Sequence, residues 1–284
     1  MKGMQAVSAR RVAYYPDKYV KEGFWSSWRD MAVGLVRSRE LIWRLFLRDF
    51  NARYRQSLLG AAWAVAMPLV TVGMFVYLNN SGVLRVGDTG MPYPVFALIG
   101  ITVYGLFSGG VTACSNSLTL AEAMVAKINF PKVGLVIAAF GQVLVDFLVR
   151  VGLLAVVLAL FGVAPSGHAW LLPLVLAPFI LLTLGLGMML SLVSAIVRDV
   201  SNLVAIGTMF LLFLTPVMYP MDASSPLVIW NPVSHFIIGC RELIIRGHLT
   251  QPGGLALAAS GSLLIFLVAW RLFYLAETKV TERI

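Results

Sequence analysis

Glu40-Leu-Ile-Trp-Arg-Leu-Phe-Leu-Arg-Asp-Phe-Asn-Ala-Arg-Tyr-Arg55 turns through Gln56-Ser-Leu-Leu-Gly60 into a run with no charged side chain until Arg85. At helical period Glu40, Arg44, Arg48, Asn51 and Arg55 fall on one stripe, and Trp43, Phe46, Leu47, Phe50 and Tyr54 fall on the other side. A helix that is basic on one face and aromatic on the other lies in the headgroup layer, its rings sunk toward the acyl chains. The segment also carries the i,i+4 pairs Glu40/Arg44 and Asp49/Arg53, which stabilise a helix and can present specific charge. Two readings follow: an anchor that fixes orientation, or a docking surface for a cytoplasmic partner. Gly60 to Leu78 supplies 19 uncharged residues, close to the ~20 that a helix needs to cross ~30 Å of hydrocarbon. The first membrane span is therefore expected there, kinked at Pro68.

The composition agrees with a membrane reading. Of 284 residues, 59% are hydrophobic and 12% charged, with mean hydropathy +0.85, far from the roughly 45–50% and 25% of soluble domains. The net charge of +9 does not call for nucleic acid, because 12 of the 22 basic residues precede Leu58, beside the first span. Anionic membrane lipid accounts for them. Cys114 and Cys240 both stand in apolar sequence, which argues against a disulfide framework or metal cluster. Met1 to Lys21 is polar and basic, without the apolar core of a cleavable signal.

The remaining chain reads as further spans. Val95 to Cys114 is the second. Ser115 to Lys132 is a polar interlude with a short amphipathic helix, stopped before Pro131. Val133 to Phe161 is the third span and contains Asp146 and Arg150. Ionisable groups at membrane depth are expected to pair or face water, and i,i+4 spacing lets these two neutralise each other, as a structural pair or as one lining a path or a dimer seam. Trp170 to Val197 is the fourth span, Leu203 to Tyr219 the fifth and Leu255 to Trp270 the sixth, followed by a mixed-charge tail from Arg271 to Ile284. Between the last two spans, Pro216, Pro220, Pro226 and Pro232 leave apolar pieces too short to cross. Ser225 to Gly247 is thus expected to dip into the membrane and return. With the N-terminus inside, inner segments hold 18 Lys and Arg and outer ones 3, which places both termini in the cytoplasm. The fold class is an all-α polytopic membrane protein of six transmembrane helices. Its parts are a lead with the interface helix (1–57), the six-span domain (58–275) and a tail (276–284).

Five short runs then carry a family resemblance. Arg53-Tyr-Arg-Gln-Ser-Leu-Leu-Gly60 with Trp63 and Pro68, Lys127-Ile-Asn-Phe-Pro-Lys132, Arg198-Asp-Val200, Thr215-Pro-Val-Met-Tyr-Pro220 and Asn231-Pro232 resemble, in that order, the type-2 ABC exporter permeases that move bacterial polysaccharides such as O antigen, capsule and teichoic acid. One departure is Lys132, where that family usually has arginine; the positive charge is kept, but an ammonium does not offer the two-pronged hydrogen bonding of a guanidinium. The resemblance implies a homodimeric permease in the bacterial inner membrane that carries a lipid-linked polysaccharide and is driven by two copies of a separate ABC ATPase. Cofactors are expected on that partner, as ATP and Mg, because this sequence has no G-x-x-x-x-G-K-[ST] loop to cradle phosphates.

The resemblance further assigns coupling to the ATPase to Glu40, Arg44, Arg48, Arg53, Arg55, Glu122, Lys127 and Lys132. Channel and gate roles fall to Leu59, Gly60, Trp63, Phe75, Tyr77, Phe107, Phe210, Phe213 and Tyr219, with Leu227, Ile229, Trp230, Phe236 and Ile237 as an apolar outer plug. Each aromatic has packing as its alternative role, since rings are common in membrane bundles. Three rival functions have weaker support. A membrane enzyme of lipid-linked sugars needs convergent acids, histidines or metal ligands, whereas His168, His235 and His248 are scattered. A secondary transporter should show inverted repeats, and the two halves show no self-similarity. A drug or small-lipid ABC permease would share the architecture but not the substrate.

Overall fold

The computed structural model describes residues 24–55, 62–82, 86–125, 130–222 and 224–281, and all of their regular structure is helical. Leu59, Gly60 and Lys127 lie outside the described residues, as does the side chain of Arg55. The helices are α1 (Phe24–Arg37), α2 (Arg39–Arg55), α3 (Ala62–Asn80), α4 (Tyr93–Leu120), α5 (Glu122–Val125), α6 (Val133–Leu160), α7 (Leu172–Ile196), α8 (Asp199–Phe213), α9 (Pro226–Ile229), α10 (Pro232–Ile245) and α11 (Pro252–Thr281). Among the described residues four stretches are long and apolar enough to cross a membrane: α4, α6, α7 with its preceding 3₁₀ turn, and the part of α11 up to Ala276. Two shorter apolar helices, Val65–Asn80 and α8, accompany them.

The bundle is built around α4. This helix packs on α6 and α7, and less extensively on α8, α10 and α3, while α11 covers the far side of α7. Lipid tails are as apolar as leucine, so helices in a membrane associate through close van der Waals fit at small residues. The α4/α7 seam has that form. A Cβ placed on Gly110 would lie 2.4 Å from Thr183 Cγ2, and one on Gly187 would lie 2.4 Å from Cys114 Cβ. The four positions form two small-residue pairs, each at i,i+4, on helices that run in the same direction. Gly185 repeats the device toward α11, where an added Cβ would meet Phe266 Cα at 2.9 Å. Behind the seam, Phe107 stacks on Phe179, and Phe179 packs against Phe236 of α10, with ring centroids 5.9 and 5.0 Å apart.

Several boundaries differ from those expected. The second span does not end at Cys114 but continues to Leu120. Its polar residues stay helical because Ser115 and Ser117 donate to the carbonyls of Thr112 and Cys114, so neither hydroxyl competes for outside partners. The amphipathic helix expected after it is reduced to the single turn of α5. The fifth span starts earlier, at Asp199, and ends at Phe213 rather than Tyr219, where the chain turns into the Thr215–Pro220 loop. The last helix does not stop at Trp270. It runs on to Thr281, anchored by the fully buried Phe273 and by an edge-on contact between Trp270 and Trp28 of α1. The third span agrees to within a residue, because Pro131 bars helix before it and Gly162, with φ +65°, ends it.

The fit at Gly187 gives a direct test. Gly187→Ala must push α4 and α7 apart, because the opposing atom is a Cβ fixed to its own backbone, and should lower stability by about 1–3 kcal/mol. Gly152→Ala, where an added methyl meets nothing within 4 Å, should be neutral or gain up to about 1 kcal/mol from helix propensity. Thermal unfolding of the two variants in one detergent compares them.

Candidate functional site

The functional residues gather at the two ends of the bundle. At one end α2 lies along α6. Leu45 is buried, Leu41, Ile42 and Phe46 pack inward, and Trp43 and Leu47 face outward. The aromatic side of the helix is therefore divided between α6 and the surroundings, not given wholly to lipid. Two glycines of α6 make this possible: a Cβ on Gly134 would lie 3.0 Å from Ile42, and one on Gly141 2.9 Å from Phe46. Gln142 donates through Nε2 to the Phe46 carbonyl at 2.8 Å. Phe46 also stacks between Trp43 and Phe50.

The charged groups of α2 fall into two sets. Glu40 and Arg44 pair at 2.6 Å, both about three-quarters exposed, so the pair adds little stability and is open to another protein. The other set reaches into the bundle. Arg48 holds Asp49 at 2.7 Å and extends Nη1 to Met124 Sδ on α5 at 3.9 Å. Arg53 Nη1 bonds Asp146 Oδ2 of α6 at 2.9 Å. Glu122 of α5 meets Arg198, before α8, at 3.6 Å, and Lys132 is buried at the entrance to α6. Of the intramembrane ions read as an i,i+4 pair, Asp146 thus bonds an arginine on α2. Arg150, one turn further, lies across α4 at Gly105, where an added Cβ would be 1.9 Å from its Nη1. Between α2, α4, α6 and α8, Arg48, Asp49, Arg53, Asp146 and Arg150 border a cleft of about 720 Å³.

At the opposite end the chain after α8 folds into an inward-tied loop. Thr215, Val217 and Met218 are buried. Asn231 caps α10 by accepting from the Val233 amide at 3.0 Å, and donates through Nδ2 to Thr215 Oγ1 at 2.9 Å. The buried Arg241 donates to the carbonyls of Pro216 and Val217 at 3.1 Å each and of Phe96 at 3.3 Å, and sits 3.5 Å above the Phe96 ring. Gly100 on α4 leaves the room, since a Cβ there would lie 2.2 Å from the Val217 carbonyl oxygen. Glu242 accepts from the Thr250 amide at 2.8 Å and from its hydroxyl. Arg241 was not among the candidates read from the sequence. The available signal was a charge flanked by Phe236–Cys240 and Leu243–Ile245 in an apolar hairpin, which cannot stay in the membrane without partners.

The channel and plug candidates separate by exposure. Trp63, Tyr77, Phe210 and Phe213 are exposed on α3 and α8, as are Leu227, Ile229 and Trp230 at the hairpin tip, with Phe75 and Tyr219 half-buried. Phe107, Phe236 and Ile237 are core residues, at most 3% exposed, and they pack between helices rather than line a surface.

The description of the ABC-2 type transporter family matches residues 40–245. The chain belongs to that family. As an ABC-2 permease it is a multi-pass membrane transport subunit, not an enzyme, and the family implies an ABC ATPase as partner. This permease is 27% identical over 207 residues to the O-antigen export system permease protein RfbA of Klebsiella pneumoniae, covering 71% of this chain and 79% of the relative. It is 26% identical to the RfbA of Myxococcus xanthus over 257 residues, 88% of this chain and 97% of that one. The polysialic acid transport protein KpsM of Escherichia coli is 22% identical over 82% of this chain and 92% of its own length. The match begins at Glu40 and ends at Ile245, so it spans both the α2 contacts and the Arg241 hairpin of the permease.

The α2/α6 bridge is open to a double-mutant cycle. Arg53→Gln and Asp146→Asn should each destabilise the permease. The double variant should be less destabilised than the sum of the two by about 0.5–2 kcal/mol, as residues in direct contact are, read from thermal unfolding. An additive result would leave the bridge without energetic weight.

Proposed function

We propose that this permease exports a lipid-linked polysaccharide, of the O-antigen or capsule class, across the bacterial inner membrane. In this reading it acts as a homodimer of six-span subunits, with α3 and α8 as the first and fifth spans and both termini cytoplasmic. Two copies of a cytoplasmic ABC ATPase bind ATP and Mg and dock against the end that carries α2, α5 and Lys132. The exposed Glu40 and Arg44 would touch the partner, while Arg48, Arg53 and Glu122 carry the displacement to α5, α6 and α8. Export permeases for O antigen and polysialic acid among the relatives support the substrate class.

The observation that carries the reading is the aromatic face left open on the two shorter apolar helices: Trp63 and Tyr77 on α3, Phe210 and Phe213 on α8. A sugar chain is polar, with faces of C–H groups that stack on rings, so its path favours aromatic platforms with few fixed charges. A second copy facing these helices would enclose such a path. Deleting the gene should abolish the surface polysaccharide and leave lipid-linked chains at the inner membrane, detected by surface labelling and lipid extraction. An unchanged surface polysaccharide would overturn the reading.

The hairpin tip would close the outer end. Its exposed Leu227, Ile229 and Trp230 form an apolar plug of the kind that seals a resting pore against ions. With Cys114→Ser and Cys240→Ser removing the two buried thiols, a single cysteine at 227 or 230 should react slowly with a periplasmic thiol reagent at rest and several-fold faster during ATP-driven export. Equal rates in the two states would make the hairpin a static cap.

A further inference from the structure

Arg150 has no role in the account above. It lies about midway along the α4/α6 packing, opposite Gly105. Among the described residues no hydrogen bond or ion pair engages it, and its buried Nε has no partner. The nearby carboxylates are already bonded to other arginines, Asp146 to Arg53 and Asp49 to Arg48. Asp146, one turn away on the same helix, acts on it through space, but an arginine at membrane depth is costly unless it meets a counter-charge or water, and a cation whose nearby anion is bonded to Arg53 needs a further explanation.

The cavities supply one. The 720 Å³ cleft that begins at α2 and a second cavity of about 280 Å³, bordered by Thr71 of α3 and by Met209 and Leu212 of α8, are both lined by Gly105, Ser108, Arg150, Ala205 and Thr208. The two cavities thus meet at Arg150 and its neighbours. One side reaches the α2 end and the other reaches the two helices with the open aromatic faces. The absence of a Cβ at Gly105 lets the guanidinium occupy this position.

We propose that Arg150 is a binding site for a phosphate group borne on a lipid, holding it between the inner cleft and the α3/α8 wall. The planar guanidinium forks onto two phosphate oxygens, is weakly hydrated for a cation and stays charged in an apolar setting. Ser108 borders both cavities beside it and carries a hydroxyl that can donate. A free phosphate offers the same chemistry, but the apolar lining toward Met209, Leu212 and Ile101 suits an attached chain. The site deepens the export reading, since it names the group by which a lipid-linked substrate would be held. It is tested without any sugar, so its failure leaves the export reading standing, and a failure of the export reading leaves the binding result intact.

The test uses the permease assembled with its ATPase in a neutral maltoside detergent. Short-chain phosphatidic acid, diacylglycerol of the same chains and inorganic phosphate are titrated against it and read by native mass spectrometry. Phosphatidic acid should bind saturably and diacylglycerol much more weakly. Arg150→Gln should lower phosphatidic acid affinity by about tenfold or more, the usual weight of a charge-assisted hydrogen bond, and Arg150→Lys should lower it less. Gly105→Ala keeps every charge but displaces the guanidinium tip, and should also weaken binding. It decides the matter if Arg150→Gln does not assemble. Inorganic phosphate that competes at the same concentration as phosphatidic acid would overturn the lipid-borne source in favour of a free anion. Unchanged phosphatidic acid binding in Arg150→Gln, or in Gly105→Ala if Arg150→Gln fails to assemble, or equal binding of diacylglycerol, would overturn the site.

Discussion

The α4/α7 seam is the contact on which the other placements depend. Where Gly110 faces Thr183 and Cys114 faces Gly187, the two backbones approach closely enough that a single methyl would not fit. In water such closeness would be one contribution beside the hydrophobic effect. In hydrocarbon it is among the main ones, because burying leucine against leucine gains little over burying it in lipid. The seam fixes α4 as the axis of the bundle. It thereby sets the position of Gly100 under the Thr215–Pro220 loop and of Gly105 under Arg150, two further points on the same helix where the missing side chain admits something from another element.

The polar groups of the interior follow the complementary rule. Thr183 and Ser191 return their hydroxyls to the carbonyls of Phe179 and Met188, so they add no demand on their neighbours. Charges cannot do this, and three in the bundle reach other segments: Asp146 across to α2, Arg241 onto three carbonyls, Glu242 onto Thr250. The ends of the subunit differ accordingly. The α2 end is held by ion pairs with at least one exposed partner, which water and salt weaken. The hairpin end is held by a guanidinium that is buried.

The apolar lengths were legible in the sequence because span length and breakers are local properties. Pro131 and Gly162 bracket α6 wherever the chain folds, and the proline cluster after Phe213 announces an interrupted hairpin. What was not legible depends on partners distant in sequence. The i,i+4 spacing of Asp146 and Arg150 suggested a pair, but the carboxylate bonds Arg53, 93 residues away on a separate helix, and acts on Arg150 through space. Continuation of α4 past Cys114 was hidden because serine reads as polar until its hydroxyl is seen bonded to its own helix. Continuation of α11 was hidden because Arg271 reads as an end, whereas Phe273 and the Trp28 contact carry the helix onward. Of the site, the division of aromatics into core and surface was invisible: Phe107 and Phe210 are alike in sequence and opposite in exposure.

Arg241 joins three segments that are far apart along the chain: the first turns of α4 at Phe96, the loop at Pro216 and Val217, and α10 itself. A guanidinium is planar and its donors point in fixed directions, so these segments cannot rotate independently without losing a bond. Mechanically they are one body, riveted to the central helix. The short helix at Pro226–Ile229 stands outside that clamp and is joined to it through Asn231, which bonds Thr215. This end of the subunit is thus a short tip carried on a frame that one arginine holds to the central helix.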